Sequence, residues 1–250
     1  MSKNVLVTGV AGGIGSATAK VFADEGWRVI GVDQKEAEVE GVHHFIEADI
    51  SNKEASARIF EEVESEEGDL NALVNNAAIQ ICKPIVDMTI EEWDSTMASN
   101  LRSVFLAVRH AYPLLRGAGA IVNVSSVHAK ATSSEIAAYA ASKGGLLAFT
   151  RALSIEFSDD DIRVNAVLPG AVDTQMLRDS LKRDYGHGEA MDDIQEKMRA
   201  LGTRHVIGRV GQPEEIAHTI HFLADEKRSS FVTGQALTVD GGATARLSTE

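Results

Sequence analysis

The sequence predicts an α/β protein in which one doubly wound parallel sheet of about seven strands carries helices on both faces. Two observations favour this fold class. Short, continuous apolar runs, typical of strands buried on both faces, alternate with longer segments of helical periodicity. The length of 250 residues suits one α/β domain with a large core, and no linker-like stretch divides the chain. We therefore expect a single domain over residues 1–250.

The first strand and helix set the pattern for the rest of the chain. Asn4 to Thr8 is a short apolar run, a glycine-rich segment follows it, and small and apolar residues then continue a helix to Gly26. We predict strands at 4–8, 28–33, 43–48, 70–75, 119–125, 162–167 and 235–239. We predict helices at 13–25, 52–67, 98–116, 137–157 and 213–224.

Residues 175–205 depart from this alternation. Gly186 and Gly188 divide a polar, charge-rich stretch into two short predicted helices without a strand between them. A long segment without a strand in a compact domain is commonly functional. The link from Gln34 to Gly41, by contrast, is too short for a full helix.

The glycine-rich segment Gly9 to Gly15 indicates a dinucleotide site. Glycines allow backbone angles that a side chain forbids and let the main chain approach a pyrophosphate. The start of the following helix adds free N–H groups and a partial positive charge. The second strand ends in Asp33, whose carboxylate is placed to accept a hydrogen bond from a ribose 2′-hydroxyl. A tight turn that binds nothing is the alternative.

A second functional signal is the pair Tyr139 and Lys143. Positions i and i+4 share one face of a helix, so the phenol and the ammonium can point into one cleft. A nearby ammonium should hold the pKa of Tyr139 below its usual value of about 10, as proton exchange near neutral pH requires. A surface phenol beside a solvated lysine is the alternative.

Composition narrows the setting. The single cysteine, Cys82, excludes a disulfide framework and completes no ligand set, so we expect no metal site. With a formal net charge of −13 and no basic patch, the protein should repel nucleic acid and anionic membranes. The chain enters a strand almost at once, which leaves no room for a signal peptide, and no apolar run approaches membrane-spanning length. We expect a cytoplasmic protein.

From Asn4 to Gly242 the chain resembles the short-chain dehydrogenase/reductase (SDR) family, which has a Rossmann-type fold. Asn75-Asn76-Ala77-Ala78 is similar to the segment after the family's fourth strand, which more often ends in glycine. The positions that match the catalytic tetrad are Asn100, Ser126, Tyr139 and Lys143. The positions that match cofactor contacts are Gly9, Gly13, Ile14, Gly15, Asp33, Asp49, Ile50, Asn76, Ala77, Tyr139, Lys143, Pro169, Gly170, Val172 and Thr174.

The resemblance implies an oxidoreductase that interconverts a secondary alcohol and a ketone. Tyr139 would be the acid/base, and Lys143 would lower its pKa and hold the nicotinamide ribose. Ser126 would hydrogen-bond the reacting oxygen, although a buried serine bonded to nearby backbone is the alternative. Asn100 would anchor a water that links Lys143 to solvent, and Thr174 would bind the nicotinamide carboxamide.

Charge favours NAD over NADP as the cofactor. The extra phosphate of NADP needs a basic residue near the ribose, whereas Asp33 would repel it. Gly12 and Gln34, where NADP-preferring relatives often carry a basic residue, are uncharged, and Lys35 could turn inward or remain solvated. Asp49 resembles the family's acidic contact to adenine, with helix capping as its alternative.

The substrate is less well defined by the sequence. The residues expected to face it are Gln80, His128, Lys130 and Met176, together with Ile81, Glu135, Leu177 and Arg178. His128 and Lys130 could bind a carboxylate, a sulfonate or several hydroxyls, although Lys130 could also project into solvent. We favour a small polyol, sugar, hydroxy acid or cyclic diol.

Two other functions remain open. One is a carbonyl or 3-oxoacyl reductase of the same family, and the other is a non-catalytic nucleotide-sensing protein with the same fold. Enoyl reductases of the superfamily space tyrosine and lysine more widely than four residues. By resemblance, residues 175–205 form a substrate lid, and the helices at 98–116 and 137–157 with the region 234–242 form the interfaces of a homotetramer.

Overall fold

Continuous apolar runs form the strands of one parallel sheet. The computed structural model describes residues 2–115, 117–182 and 194–245. The strands within these residues are β1 (Asn4–Thr8), β2 (Arg28–Asp33), β3 (His44–Glu47), β4 (Ala72–Asn75), β5 (Ala120–Val124), β6 (Arg163–Pro169) and β7 (Ala236–Val239). Their order is β3-β2-β1-β4-β5-β6-β7, and every neighbouring pair is parallel. The predicted doubly wound sheet is confirmed.

Helices connect the strands. They are α1 (Gly13–Asp24), α2 (Lys53–Glu66), α3 (Ile90–Met97), α4 (Ser103–Leu115), α5 (Ala137–Glu156), α6 (Gln175–Leu181), α7 (Ile194–Gly202), α8 (Pro213–Ala224) and α9 (Glu226–Ser229). A π-helical turn, Ala98–Arg102, joins α3 to α4, and a 3₁₀ turn, Val127–Ala129, follows β5. Within the described residues, no helix is both long enough and apolar enough to span a membrane.

Alternate residues of the central strand face two separate apolar layers. Leu6 of β1 belongs to a core that includes residues of α2, α4 and α5, whereas its neighbours Val5 and Val7 belong to a core with α1 and α8. Phe22 and Ile220, from the two helices of the second core, are fully buried. Because both faces of the sheet are covered, the strands are continuously apolar in sequence.

The predicted helix at 98–116 was wrong at its start. Helical structure begins eight residues earlier, at Ile90, because Thr89 and Glu92 form a capping box. The Glu92 N–H donates to the Thr89 hydroxyl at 3.2 Å, and the Thr89 N–H donates to the Glu92 carboxylate at 2.8 Å. Asn100 consequently lies in the π-helical turn. The other predicted strands and helices agree with the structure to within two residues at each end.

The predicted lid is described in part. Its N-terminal helix is α6, where the Thr174 side chain caps the first turn by accepting from the Leu177 N–H at 3.3 Å. Its second helix is α7, and the Lys197 ammonium reaches back to donate to the Leu181 carbonyl at 3.0 Å. Gly186 and Gly188, which were expected to separate the two helices, lie outside the described residues.

Candidate active site

A cleft of about 1140 Å³ runs along the carboxyl edge of the sheet. It opens where the strand order reverses between β1 and β4, the place where open α/β sheets bind their ligands. Most of the predicted site residues line it. These are Gly9, Gly13, Ile14, Asp33, Asp49, Ile50, Asn76, Ala77, Gln80, Ser126, His128, Tyr139, Lys143, Pro169, Gly170, Val172, Thr174 and Met176.

The glycine loop is held closely against the start of α1. Gly9 has a φ of +66°, in the left-handed region that favours glycine. A Cβ at Gly15 would lie 2.1 Å from the Gly9 carbonyl oxygen, so no side chain fits there. Gly15 therefore shapes the loop without lining the cleft. Gly12, the N-cap of α1, has no side chain to cover the first-turn N–H groups, which leaves them available to an anion.

Thr8 and Asn76 tie the glycine loop to the end of β4. The Thr8 hydroxyl accepts hydrogen bonds from the N–H groups of Asn76 and Ala77, both at 3.1 Å. The Asn76 side-chain amide donates to the carbonyls of Thr8 and Gly9, both at 3.0 Å. These bonds fix the loop at the point where the strand order reverses.

Two carboxylates lie at the β2–β3 end of the cleft. The Asp33 carboxylate accepts from the N–H groups of Ala11 at 3.0 Å and Gln34 at 2.8 Å. Asp49 accepts from the N–H and the hydroxyl of Ser51 at 2.9 and 2.7 Å. Asn52 caps α2 by accepting from the Ala55 N–H, so Asp49 does not have the alternative helix-capping role.

The catalytic candidates meet in the middle of the cleft. Tyr139 and Lys143 lie on α5 with exposures of only 8% and 2%. Ser126 follows β5 and accepts from the His128 N–H at 3.2 Å, which begins the 3₁₀ turn. The Lys143 ammonium donates to the Val124 carbonyl at 2.7 Å and lies 5.7 Å from the centre of the Tyr139 ring.

The predicted low pKa of Tyr139 was wrong. Burial raises the pKa of Tyr139 to about 12, and a hydrogen bond with Ser126 opposes this rise in part. Burial also lowers the pKa of Lys143 to about 8. The Lys143 ammonium is directed at the Val124 carbonyl, so removal of water around the phenol has a larger effect than the charge of its neighbour.

Asn100 does not line the cleft. Its side-chain oxygen accepts from the Ile79 N–H at 2.8 Å, and its nitrogen donates to the Ile79 carbonyl at 2.9 Å and the Ser142 hydroxyl at 3.1 Å. Ser142 in turn donates to the Tyr139 carbonyl at 2.7 Å. Asn100 thus connects the loop after β4 to the helix that carries Tyr139 and Lys143.

Three residues expected near the substrate are not among those that line the cleft: Ile81, Lys130 and Arg178. The Lys130 ammonium donates to the Thr238 hydroxyl at 3.3 Å on β7. Arg178 forms two bonds to the carboxylate of Asp173, at 2.8 and 2.9 Å. The structure therefore brings neither cation to the reacting centre, whereas Glu135 and Leu177 do line the cleft.

One face of α7 and the residues just after it line the cleft but were not predicted as site residues. The cleft-lining residues that were missed there are Lys197, Ala200, Leu201, Arg204 and His205. Lys197, Ala200 and Leu201 follow the spacing i, i+3, i+4, which places them on one face of α7 and was visible in the sequence. Arg204 and His205 follow the end of the helix at Gly202. Within the described residues, no group of three His, Cys, Asp or Glu side chains is placed to hold a metal ion.

A family model described as enoyl-(acyl carrier protein) reductase matches residues 9–244. This chain belongs to the short-chain dehydrogenase/reductase family. This SDR chain is 38% identical over 255 residues to the cyclopentanol dehydrogenase of Comamonas sp., covering 97% of both chains. It is 35% identical over 253 residues to a 3-oxoacyl-[acyl-carrier-protein] reductase of Thermotoga maritima, covering 96% of this chain and 97% of that protein.

A solved SDR structure gives the same result for the fold. The ligand-free aldohexose dehydrogenase of Thermoplasma acidophilum superposes with a TM-score of 0.91 at 33% identity, covering 99% of this chain and 96% of that one. SDR enzymes use NAD or NADP. The residues present suit such a dinucleotide, because one cleft of about 1140 Å³ joins the start of α1, which has no side-chain cap, to the Asp33 carboxylate.

Proposed function

We propose that this SDR enzyme transfers a hydride between NAD(H) and a small hydroxylated substrate, interconverting a secondary alcohol and a ketone. One observation carries the proposal. A single continuous cleft contains both the Asp33 carboxylate, suited to a ribose, and the group formed by Ser126, Tyr139 and Lys143. The step of four residues between tyrosine and lysine supports alcohol and ketone chemistry rather than reduction of an enoyl double bond.

In this mechanism the proton is transferred by a side chain of the protein. Tyr139 gives a proton to the ketone oxygen during reduction, or takes it from the alcohol during oxidation. Ser126 hydrogen-bonds the same oxygen and stabilises the charge that develops there. The hydride chemistry would be supplied by a nicotinamide cofactor held in the same cleft. A pKa of about 12 keeps Tyr139 protonated at neutral pH, the form needed for reduction, so oxidation should become faster as the pH rises.

We propose NAD because of the charge at the Asp33 end of the cleft, where the ribose would bind. Asp33 lines the cleft with its carboxylate held by two N–H groups, and Gly12 and Gln34 beside it are uncharged. We expect a higher kcat/KM with NAD than with NADP. Asp33→Ala should reduce that ratio by about tenfold, since it removes both the acceptor and the repulsion of a phosphate.

Asp49→Ala is the matched control for cofactor choice. Asp49 lies in the same end of the cleft but is proposed to contact adenine, which NAD and NADP share. Its loss should lower the efficiency with both cofactors by similar factors and leave their ratio unchanged. An equal or greater wild-type efficiency with NADP would refute the proposed preference.

The substrate class is supported by two relatives. The names cyclopentanol dehydrogenase and aldohexose dehydrogenase refer to small cyclic hydroxylated compounds. We therefore propose a polyol, sugar, hydroxy acid or cyclic diol, to be found by an NAD-linked absorbance screen over those classes.

The relative named 3-oxoacyl-[acyl-carrier-protein] reductase favours a second candidate function, reduction of a 3-oxoacyl thioester, which the same screen tests with such a thioester and NADPH. NADH binding without turnover of any compound would instead indicate a nucleotide sensor.

We also propose a cytoplasmic homotetramer. An exposed apolar side chain lies on each predicted interface: Phe105, at 46%, on α4, and Leu237, at 41%, on β7. Gly144 on α5 has no atom within 4 Å of an added Cβ, which leaves room for another helix. Light scattering should give about four times 26.8 kDa. A dimer would mean that one interface is used, and a monomer at micromolar concentration would exclude both.

A further inference from the structure

Two histidines that line the cleft each have a buried ring nitrogen without a hydrogen-bond partner. Among the described residues, the buried side-chain atoms without a hydrogen-bond partner are Ser56 Oγ, His128 Nδ1, His205 Nε2 and His221 Nε2. Buried polar atoms are nearly always paired, so each of these needs an explanation. His128 and His205 line the cleft, and the other two residues do not. A polar group of a bound molecule is therefore a candidate partner for the nitrogens of these two cleft-lining histidines.

His205 is oriented by the end of α7. Its side chain is 4% exposed, and its Nδ1 lies 3.1 Å from the Leu201 carbonyl oxygen. A carbonyl oxygen only accepts, so Nδ1 carries the proton in this contact. In the neutral ring Nε2 is then an acceptor, and it needs a donor.

The loop after β7 packs against the ring but does not supply that donor. A Cβ at Gly241 would lie 3.6 Å from His205 Cδ2, so this loop contacts the carbon edge of the imidazole. Asp240 does not supply it either, because a carboxylate only accepts, here from the Gly242 N–H and from the N–H and hydroxyl of Thr244, at 2.9, 2.8 and 2.6 Å.

The strand order places His205 beyond the catalytic group. Asp33 ends β2, Ser126 follows β5, and His205 packs on the loop that follows β7, at the opposite end of the sheet from Asp33. Strands lie about 4.8 Å apart, so the ends of β5 and β7 are separated by roughly 10 Å. A ring-sized substrate with one hydroxyl at Ser126 and Tyr139 would extend its far side towards His205.

We propose that His205 is a specificity-determining residue, whose Nε2 accepts a hydrogen bond from a second substrate hydroxyl, distant from the carbon that is oxidised. The proposal rests on the proposed function, because it requires an alcohol in the cleft. It narrows the substrate class to compounds with at least two hydroxyls, such as cyclic diols and sugars. His128, whose ring centre lies 6.1 Å from that of Tyr139, supplies a further polar group near the reacting oxygen.

The test compares mono-alcohols with diols on the same ring: cyclopentanol and cyclohexanol against the isomeric cyclopentanediols and cyclohexanediols. For the wild type, the best diol should exceed its mono-alcohol in kcat/KM by at least about tenfold, because a site built around a hydroxyl discriminates against the analogue that lacks it. His205→Asn keeps an N–H for the Leu201 carbonyl and removes Nε2, and should lower the diol preference by about tenfold.

Two further variants control this result. His205→Gln places an oxygen acceptor near the position of Nε2 and should restore part of the preference. His221→Asn alters the histidine of α8 that also has an unpartnered nitrogen, and it should leave the preference unchanged, because this ring packs edge-to-face against Phe22 and Trp27 outside the cleft.

A wild type that turns over mono-alcohols and diols with equal efficiency would overturn the role of His205 while leaving the proposed function intact. This comparison needs no variant, so it holds even where a substitution prevents folding. His205→Asn with weakened NADH binding and an unchanged diol preference would also overturn it, because the nitrogen would then serve the cofactor. Failure of every alcohol to react would instead refute the proposed function.

Discussion

The two ends of the cleft are built in different ways. The end near Asp33 is formed largely by main-chain groups of one continuous segment, from β1 through the glycine loop to α1, and glycines determine its shape. The other end is formed by side chains from separate parts of the chain, among them Gln80, Glu135, Met176 and His205. The glycine loop of the first end is therefore encoded locally, whereas the second end exists only after the chain has folded.

The charges of the two ends differ as well. Asp33 and Asp49 make the first end acidic, which suits the hydroxyls and the amino group of a nucleoside. The second end carries both negative and positive charge, from Glu135, Lys197 and Arg204. The difference predicts that substitutions at the two ends affect separate quantities, cofactor affinity at one and turnover or selectivity at the other.

The strongest test of that separation is Tyr139→Phe. It removes the proposed proton-transfer group and should lower kcat by roughly 10²- to 10⁴-fold, while the Kd for NADH stays near that of the wild type. Stopped-flow turnover and fluorescence titration measure the two quantities. Tyr112→Phe is the matched control, because the Tyr112 hydroxyl bonds Asp160 at 2.6 Å outside the cleft. Retained activity in Tyr139→Phe would contradict the assignment.

The second test uses the buried ammonium between the two ends. Lys143 has a pKa of about 8, lowered from 10.5, so above pH 8 the folded protein loses this proton while the unfolded chain keeps it. Stability must rise with pH in that window. Relative to Lys143→Met, the free energy of unfolding of the wild type should increase by about 3 kcal/mol between pH 7.5 and 10.5.

Urea denaturation at several pH values measures this increase. The raised pKa of Tyr139 acts in the opposite direction, but only above pH 10, and it is common to both proteins. Lys20→Met, at an exposed lysine paired with Glu40, should show no such rise. A difference between wild type and Lys143→Met that stays constant with pH would show that the ammonium is not desolvated.

The third test adds one methyl group to the glycine loop. Gly15→Ala would place a Cβ 2.1 Å from the Gly9 carbonyl, so the loop must shift, and the Kd for NADH should rise by about tenfold. In Gly12→Ala the added Cβ meets only that same oxygen, at 3.3 Å, and the Kd should change by less than about threefold. Isothermal titration distinguishes the two outcomes. Equal effects of the two substitutions would mean that close packing at Gly15 does not shape the loop.

Local signals account for what the sequence predicted. The glycine loop, Asp33 and the pair Tyr139 and Lys143 each depend on neighbours a few residues away, and the structure places all of them at one cleft. The signal for the start of α3 is also local, since Thr89 and Glu92 have the spacing of a capping box, but the predicted helix did not include it.

The remaining differences depend on tertiary structure. The pKa of Tyr139 follows its burial, which the spacing to Lys143 does not reveal. Lys130 is only four residues from Ser126, yet its ammonium contacts β7, because the direction of a side chain after a turn is set by packing. His205 enters the cleft because the end of α7 packs on the loop after β7, a contact between segments 36 residues apart, from 205 to 241.

The two hydrogen bonds between Asn100 and Ile79 have a consequence for motion. Ile79 lies in a segment without regular secondary structure, where backbone amides usually exchange with solvent rapidly. Its N–H is held by a side chain that is completely buried in the π-helical turn. Deuterium should therefore enter this amide only when the turn itself opens, so that one loop proton reports on the integrity of the support beneath the catalytic helix.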